Sequence, residues 1–257
     1  MVIGPVALAF VSVTLVSAVS LAGLLTLSMS EARVRRLAVF FVSFAAGALL
    51  GDTFIHLLPE IFAKARGADA LRASLMILAG VLLFFVIEKL LRHQHGLLHR
   101  HHHHETIERP ELAAVNILGD AIHNYIDGLL IGASWLAGPA LGISTTIAVL
   151  LHEIPQELGD FGILIHSGLT VRKATLLNVA SAAVAILGTL TAVVAGAVAH
   201  QRVTELLVPL TAGGFVYIAL ADLIPELQHE RGLRALVVQT ALIAAGIAVM
   251  AGLIVFD

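Results

Sequence analysis

Apolar residues fall in runs of about 20 or more, the length a helix needs to cross a bilayer. The runs cover approximately 4–27, 37–62, 71–92, 111–136, 141–166, 172–198, 205–228 and 234–256. The pattern predicts an all-α polytopic membrane protein of eight transmembrane helices in a single domain, residues 1–257. No basic residue precedes the first run, and it is longer than the core of a signal peptide, so it is counted as a membrane helix. Connections are short except between the third and fourth helices. In two central runs the polar positions recur at three- and four-residue spacing. Asp120, His123, Asn124 and Asp127 share an arc of about 100°, and His152, Glu153, Gln156, Glu157 and Asp160 one of about 140°. Joined by the short break LAGPALG, these two helices would face each other as an antiparallel pair, a geometry suited to holding a metal ion.

A weak internal repeat surrounds this pair. GALLGDTFIHLLPE (47–60) registers on GGFVYIALADLIPE (213–226) at constant offset, with Gly47 on Gly213, His56 on Asp222, Pro59 on Pro225 and Glu60 on Glu226. The two helices cross in opposite directions, so the fold is expected to be an inverted repeat around a central helix pair, an arrangement that brackets midplane binding sites. Gly47 with Gly51, and Gly128 with Gly132, make small-residue faces on which neighbouring backbones can pack.

Composition places these helices in lipid. Of 257 residues 58% are hydrophobic and 13% charged, against about 25% charged in an ordinary soluble domain. A net charge of −3 offers nucleic acid no basic surface. Cysteine is absent, leaving nitrogen and oxygen as metal donors. No phosphate-binding glycine loop points to ATP, and no organic cofactor is implied. Lys and Arg are unevenly placed. With both termini outside, the inner loops collect Arg33, Arg35, Arg36, Lys89, Arg92, Arg100, Arg109, Arg172, Lys173, Arg231 and Arg234, leaving Lys64, Arg66, Arg72 and Arg202 outside, which favours that orientation. The cytoplasmic loop 93–110 then carries His93, His95, His99, His101, His102, His103 and His104, a composition that binds zinc-like ions weakly.

Asp120, Asp127, Glu153, Glu157 and Asp160 lie inside predicted spans. At about 2.5 to 3.5 kcal/mol each on insertion scales, five such carboxylates cost on the order of 10 kcal/mol, and intramembrane ionisable groups of this kind mark function. His123, Asn124, His152 and Glu153 fall at one depth. Imidazole nitrogen, carboxylate oxygen and the weaker amide oxygens of Asn124 and Gln156 suit a divalent cation that must be both bound and released. Pro155 disturbs the hydrogen bond to the carbonyl of Leu151, so a kink is expected within the site.

At these residues the chain resembles the ZIP family of zinc and iron transporters. HNYIDG is similar to the family's fourth-helix HN-x-x-[ED]-G, and HEIPQELGDF to the fifth-helix HE-x-P-H-E-x-G-D of one branch. The resemblance implies Zn²⁺ carried as substrate into the cytoplasm, with Fe²⁺, Mn²⁺ or Cd²⁺ as further cargo, and a histidine-rich loop that accepts or senses ions. It also implies a two-metal site, with His123, Asp127, His152 and Gln156 for one ion and Asn124, Asp127, Glu153 and Gln156 near the second. Asn178, Asp120, Glu157, Asp160, His56 and Asp222 stand as further ligands or steps along the path. Gln156 departs from the pattern, since the branch has His there and others Glu. The expected setting is a homodimer in a prokaryotic plasma membrane. The rival reading is an intramembrane zinc hydrolase in which Glu153 of an HExxQ sequence activates a bound water.

Overall fold

A computed structural model describes residues 4–27, 29, 31–99, 110–199, 201–228 and 232–254, and no strand occurs among them. The described helices assemble into eight rods. Rod α1 is Pro5–Ser17, continued by the 3-10 turn Ala18–Ala22 and Gly23–Thr26. Rod α2 joins Glu31–Gly51, a π-helical segment Asp52–Leu57 and Leu58–Lys64. Then follow α3 (Ala68–His99), α4 (Pro110–Ala137) and α5 (Pro139–His166). Rod α6 is Val171–Ala182 and Val184–Ala199. Rod α7 joins Gln201–Tyr217, a second π-helical segment Ile218–Leu223 and Ile224–Leu227, and α8 is Leu233–Leu253.

Local sequence sets the ends. Pro5 and Pro139 open their helices at positions where a missing amide hydrogen costs nothing. The Thr170 side chain accepts from the Lys173 amide at the start of α6. The turns after α2, α5 and α7 pass through Gly67, Gly168 and Gly232 at φ 56°, 88° and 118°, where a side chain would be strained. One boundary differs from expectation: α3 continues through His93 and His95 to His99, so the first part of the predicted loop is helix. Residues 100–109, with His101 to His104, lie outside the described residues.

Among the described residues, five stretches are long and apolar enough to span a membrane: Pro5–Ala22, Val39–Ala63, Ala68–Leu90, Val171–Val198 and Leu233–Leu253. Rods α4 and α5, which carry the polar stripes, are not among them, and α7 contributes a shorter apolar helix, Glu205–Ala221. Leu71, Leu75, Leu78 and Leu82 of α3 and Leu233, Leu236 and Val237 of α8 point outward, as a lipid-facing surface requires. Leu130 and Ile131 of α4 and Ala148 and Val149 of α5 are buried in the core.

The repeat seen in the sequence is a structural one. A Cβ on Gly47 would strike the carbonyl of Ile243 in α8, and one on Gly213 would strike that of Ile77 in α3. The offset that carries Gly47 onto Gly213 also carries Ile77 onto Ile243. Likewise Gly80 meets the carbonyl of Leu210 and Gly246 that of Phe44, again equivalent pairs. The two π segments, Asp52–Leu57 and Ile218–Leu223, occupy the same register under this offset. Thus α2 packs on α8 as α7 packs on α3. The other glycine face holds α4 to α6, where Gly128 meets the carbonyl of Ala185 and also accepts from Thr189 at 2.9 Å, while Gly188 meets the carbonyl of Tyr125.

Candidate metal centre

The polar stripes of α4 and α5 meet at the core. His123, Asp127, His152 and Glu153 each present one donor atom, and all four atoms lie within 4.8 Å of one another. The separations are His152 Nε2 to Asp127 Oδ2 3.0 Å, His123 Nε2 to His152 Nε2 3.4 Å, His123 Nε2 to Glu153 Oε1 3.6 Å, His123 Nε2 to Asp127 Oδ2 3.7 Å and His152 Nε2 to Glu153 Oε1 3.8 Å. A tetrahedron with metal–ligand bonds of about 2.0 to 2.1 Å has edges of about 3.3 to 3.4 Å. The observed spread straddles that value.

Hydrogen bonding leaves the right lone pairs free. His152 Nδ1 donates to the Ala148 carbonyl at 3.1 Å, which fixes the tautomer and turns the Nε2 lone pair toward the group. Both oxygens of Asp127 and Oε1 of Glu153 are buried without a hydrogen-bond partner. Such orphaned acceptors are rare in protein interiors, and a cation among them satisfies all at once. Asp127, His152 and Glu153 are at most 1% exposed, whereas His123 keeps 20%, so His123 is the most accessible of the four. From α7 the Phe215 ring stands edge-on to His152 at 6.2 Å and closes the apolar side.

A second set of polar groups lies one turn along each helix. Asn124 donates to the backbone carbonyl of Asp120 at 3.1 Å and to its carboxylate at 2.8 Å. Ser181 of α6 donates to the other Asp120 oxygen. Asn178 donates to Glu157 at 2.5 Å and to the Ser20 carbonyl of α1 at 3.1 Å. Half-buried Gln156 faces Asp120, as does Asp160. Glu153 belongs to the group of imidazole and carboxylate donors, while Gln156, which the resemblance assigns to both ions, lies beside Asp120.

The remaining expectations separate. His56, in the π segment of α2, bonds through Nε2 to the Met250 carbonyl at 2.9 Å. The backbone of Asp222 sits in the matching segment of α7, and its side chain lies outside the described residues, as do those of His93, His95 and His99. Asp52 was not singled out from the sequence, yet it is fully buried, accepts from Thr145 at 3.3 Å and leaves Oδ1 without a partner. A carboxylate inside an apolar run, four residues before His56, was the available signal. Pro155 lies within α5, between Glu153 and Gln156.

A family model described as ZIP Zinc transporter matches residues 3–254. Zinc transporter zipt-7.1 of Caenorhabditis briggsae is 33% identical over 238 residues, covering 72% of this chain and 61% of the relative. Zinc transporter ZIP13 of Pongo abelii is 34% identical over 220 residues, covering 81% of this chain and 64% of the relative. Zinc transporter ZIP6 of Homo sapiens is 43% identical over 138 residues, 51% of this chain and 18% of that protein. The chain thus spans less than two thirds of the length of these relatives.

Proposed function

We propose, from the premise that this chain belongs to the ZIP family of zinc transporters, that it carries Zn²⁺ across a membrane through the group on α4 and α5. The observation that carries this reading is the convergence of donor atoms of His123, Asp127, His152 and Glu153 within 4.8 Å of one another, with both Asp127 oxygens and Glu153 Oε1 unpartnered. Two imidazoles and two carboxylates favour zinc and accept Fe²⁺, Mn²⁺ or Cd²⁺ less well. An inverted repeat whose halves flank the group supports alternating access, in which the same donors open to one side and then the other.

The distribution of Lys and Arg supports both termini outside and the segment 93–110 in the cytoplasm, where its histidines receive or sense the ion. The relatives reported are animal proteins, so the expectation of a prokaryotic plasma membrane gains nothing from them and is not carried further. The hydrolase alternative gains no support either: the relatives are named transporters, and Glu153 stands with the imidazoles as a fourth donor.

Zinc uptake into sealed vesicles containing the purified protein tests the reading. The chain should move many ions per molecule, and Asp127→Ala should abolish flux while inserting normally, since removing a charge from a span favours insertion. Wild-type flux in that variant would exclude this group from the path.

A further inference from the structure

We propose that Glu88 of α3 is a positioning residue for the metal centre: it anchors the hydroxyl of Tyr217, and so sets the rotation of α7 that seats Phe215 against His152. Both Glu88 and Tyr217 lie on helices that supply none of the four donors. The contacts of α7 divide between two opposite faces. Leu210, Gly213, Gly214 and Tyr217 recur at i, i+3, i+4 and i+7, one stripe of the helix, and all four meet α3. The Leu210 carbonyl lies against Gly80, Gly213 against the Ile77 carbonyl and Gly214 against the Phe84 ring. Phe85 stands edge-on to the Tyr217 ring at 6.5 Å, and the Tyr217 hydroxyl donates to Glu88 Oε2. Phe215 is two residues from Tyr217, about 160° round the helix. It is fully buried, with its ring 6.2 Å from that of His152. Thus α3 grips α7 on one side, and α7 bears on the centre with the other.

Geometry decides which of these contacts sets the angle. The glycines fix how closely the two rods approach, but without side chains they offer little that resists turning. A hydrogen bond at the helix surface does resist it, because it weakens steeply once bent or stretched. Side chains reach about 5 to 6 Å from the helix axis, so a turn of about 20° would move Phe215 by roughly 2 Å. That is more than the radius of an aromatic ring and enough to unseat it from the imidazole. The tie falls on the last α-helical residue of Gln201–Tyr217, immediately before the π segment Ile218–Leu223, where the hydrogen-bond ladder changes register.

The repeat separates this role from packing. The offset that carries Gly47 onto Gly213 puts Gly51 opposite Tyr217 and Ile254 opposite Glu88, so the seam between α2 and α8 closes without such a pair. Its own tie, His56 to the Met250 carbonyl, is of another kind. A repeat half therefore does not call for a phenol and a carboxyl group in order to pack. They stand on the seam whose far face bears on His152.

The proposal rests on the reading of the four donors as the zinc site. Its test is calorimetric titration of the purified full chain with zinc, the seven histidines of 93–104 changed to Ser, beside thermal unfolding of the zinc-free protein. Tyr217→Phe, which removes only the hydroxyl, and Glu88→Ala should each weaken zinc binding at least threefold. Together they should stay within twofold of the weaker single variant, because the two groups act as a unit. In a Phe215→Leu background Tyr217→Phe should change zinc affinity by less than twofold, since the ring through which it acts is gone. Should Glu88→Ala fail to fold, the loss of one oxygen in Tyr217→Phe still decides the matter. A loss below threefold in either folded single variant, even with a lowered melting temperature, would reduce the pair to a structural tie and overturn the proposal. A double variant weakened more than twofold beyond the singles, or an effect that persists beside Phe215→Leu, would overturn it as well. Asp127→Ala tests the premise separately: undiminished zinc binding there would sink the reading of the site. Zinc lost in Asp127→Ala but kept in Tyr217→Phe and Glu88→Ala would sink this proposal alone.

Discussion

At the scale of single residues, the centre depends on donors whose other bonds are already made. His152 is held by the Ala148 carbonyl, and Glu153 supplies an oxygen with no competing partner. Glu153→Gln keeps an oxygen in place but removes its charge, so zinc affinity should fall by about ten- to a hundredfold, about 1.4 to 2.8 kcal/mol. Calorimetric titration of purified protein checks this, and an unchanged affinity would place Glu153 outside the ligand set. The sequence carried most of this centre, because four-residue spacing puts His123 with Asp127 on one face of α4, and His152 and Glu153, adjacent and about 100° apart on the helix, lie in the polar arc of α5 that turns toward it. The division of labour around Gln156 was less legible. Glu153 and Gln156 are about 60° apart around an ideal helix. Which of them meets the imidazoles therefore depends on how α5 is rotated against α4, and residue types do not report that rotation.

At the scale of elements, the eight rods follow from apolar runs whose lengths match a membrane, and the structure moves their ends by a few residues. The extension of α3 to His99 escaped the sequence reading because polar histidines interrupt hydropathy without ending a helix. The π segments escaped it as well, since a change from i−4 to i−5 hydrogen bonding has no fixed residue signature. Packing at Gly47 and Gly213 was more accessible, through small residues spaced along the helix. Because each glycine sits against a carbonyl of its neighbour, Gly47→Val and Gly213→Val should each destabilise the protein by about 1 to 3 kcal/mol or more, the usual range for overpacking. Thermal unfolding in detergent measures this. If Gly213→Val proved harmless while Gly47→Val did not, the two seams would not be equivalent.

At the scale of the whole molecule, the constant offset between two short sequence matches foretold a three-dimensional correspondence that extends to α3, α8 and both π segments. What the matches could not convey is the partnership of the frame, since a one-dimensional register does not say that α2 leans on α8 and α7 on α3. Orientation in the membrane is tested directly, because the chain lacks cysteine and single thiols report without background. A Cys at Ser30 or Gln94 should be shielded from an impermeant reagent in intact cells, and one at Ala68 or Gln201 should be labelled. The opposite pattern would put the histidine-rich segment on the outer side.

If the chain works by the alternating access proposed above, the correspondence between the halves says where a preference for one side of the membrane would reside. If α1 to α3 and α6 to α8 were identical in sequence, the pose open to one face and the pose open to the other would be related by symmetry and equal in energy. Only positions that break the repeat can tilt that balance, and two of them fall in the matched π segments: Asp52 opposite Ile218, and His56 opposite Asp222. Asp52 reaches Thr145 of α5, and His56 reaches the backbone of α8, bonds that apolar Ile218 cannot reproduce. On the proposed alternating-access reading, polar mismatches such as these between the two frames contribute to the resting direction, apart from the residues of the four-donor group.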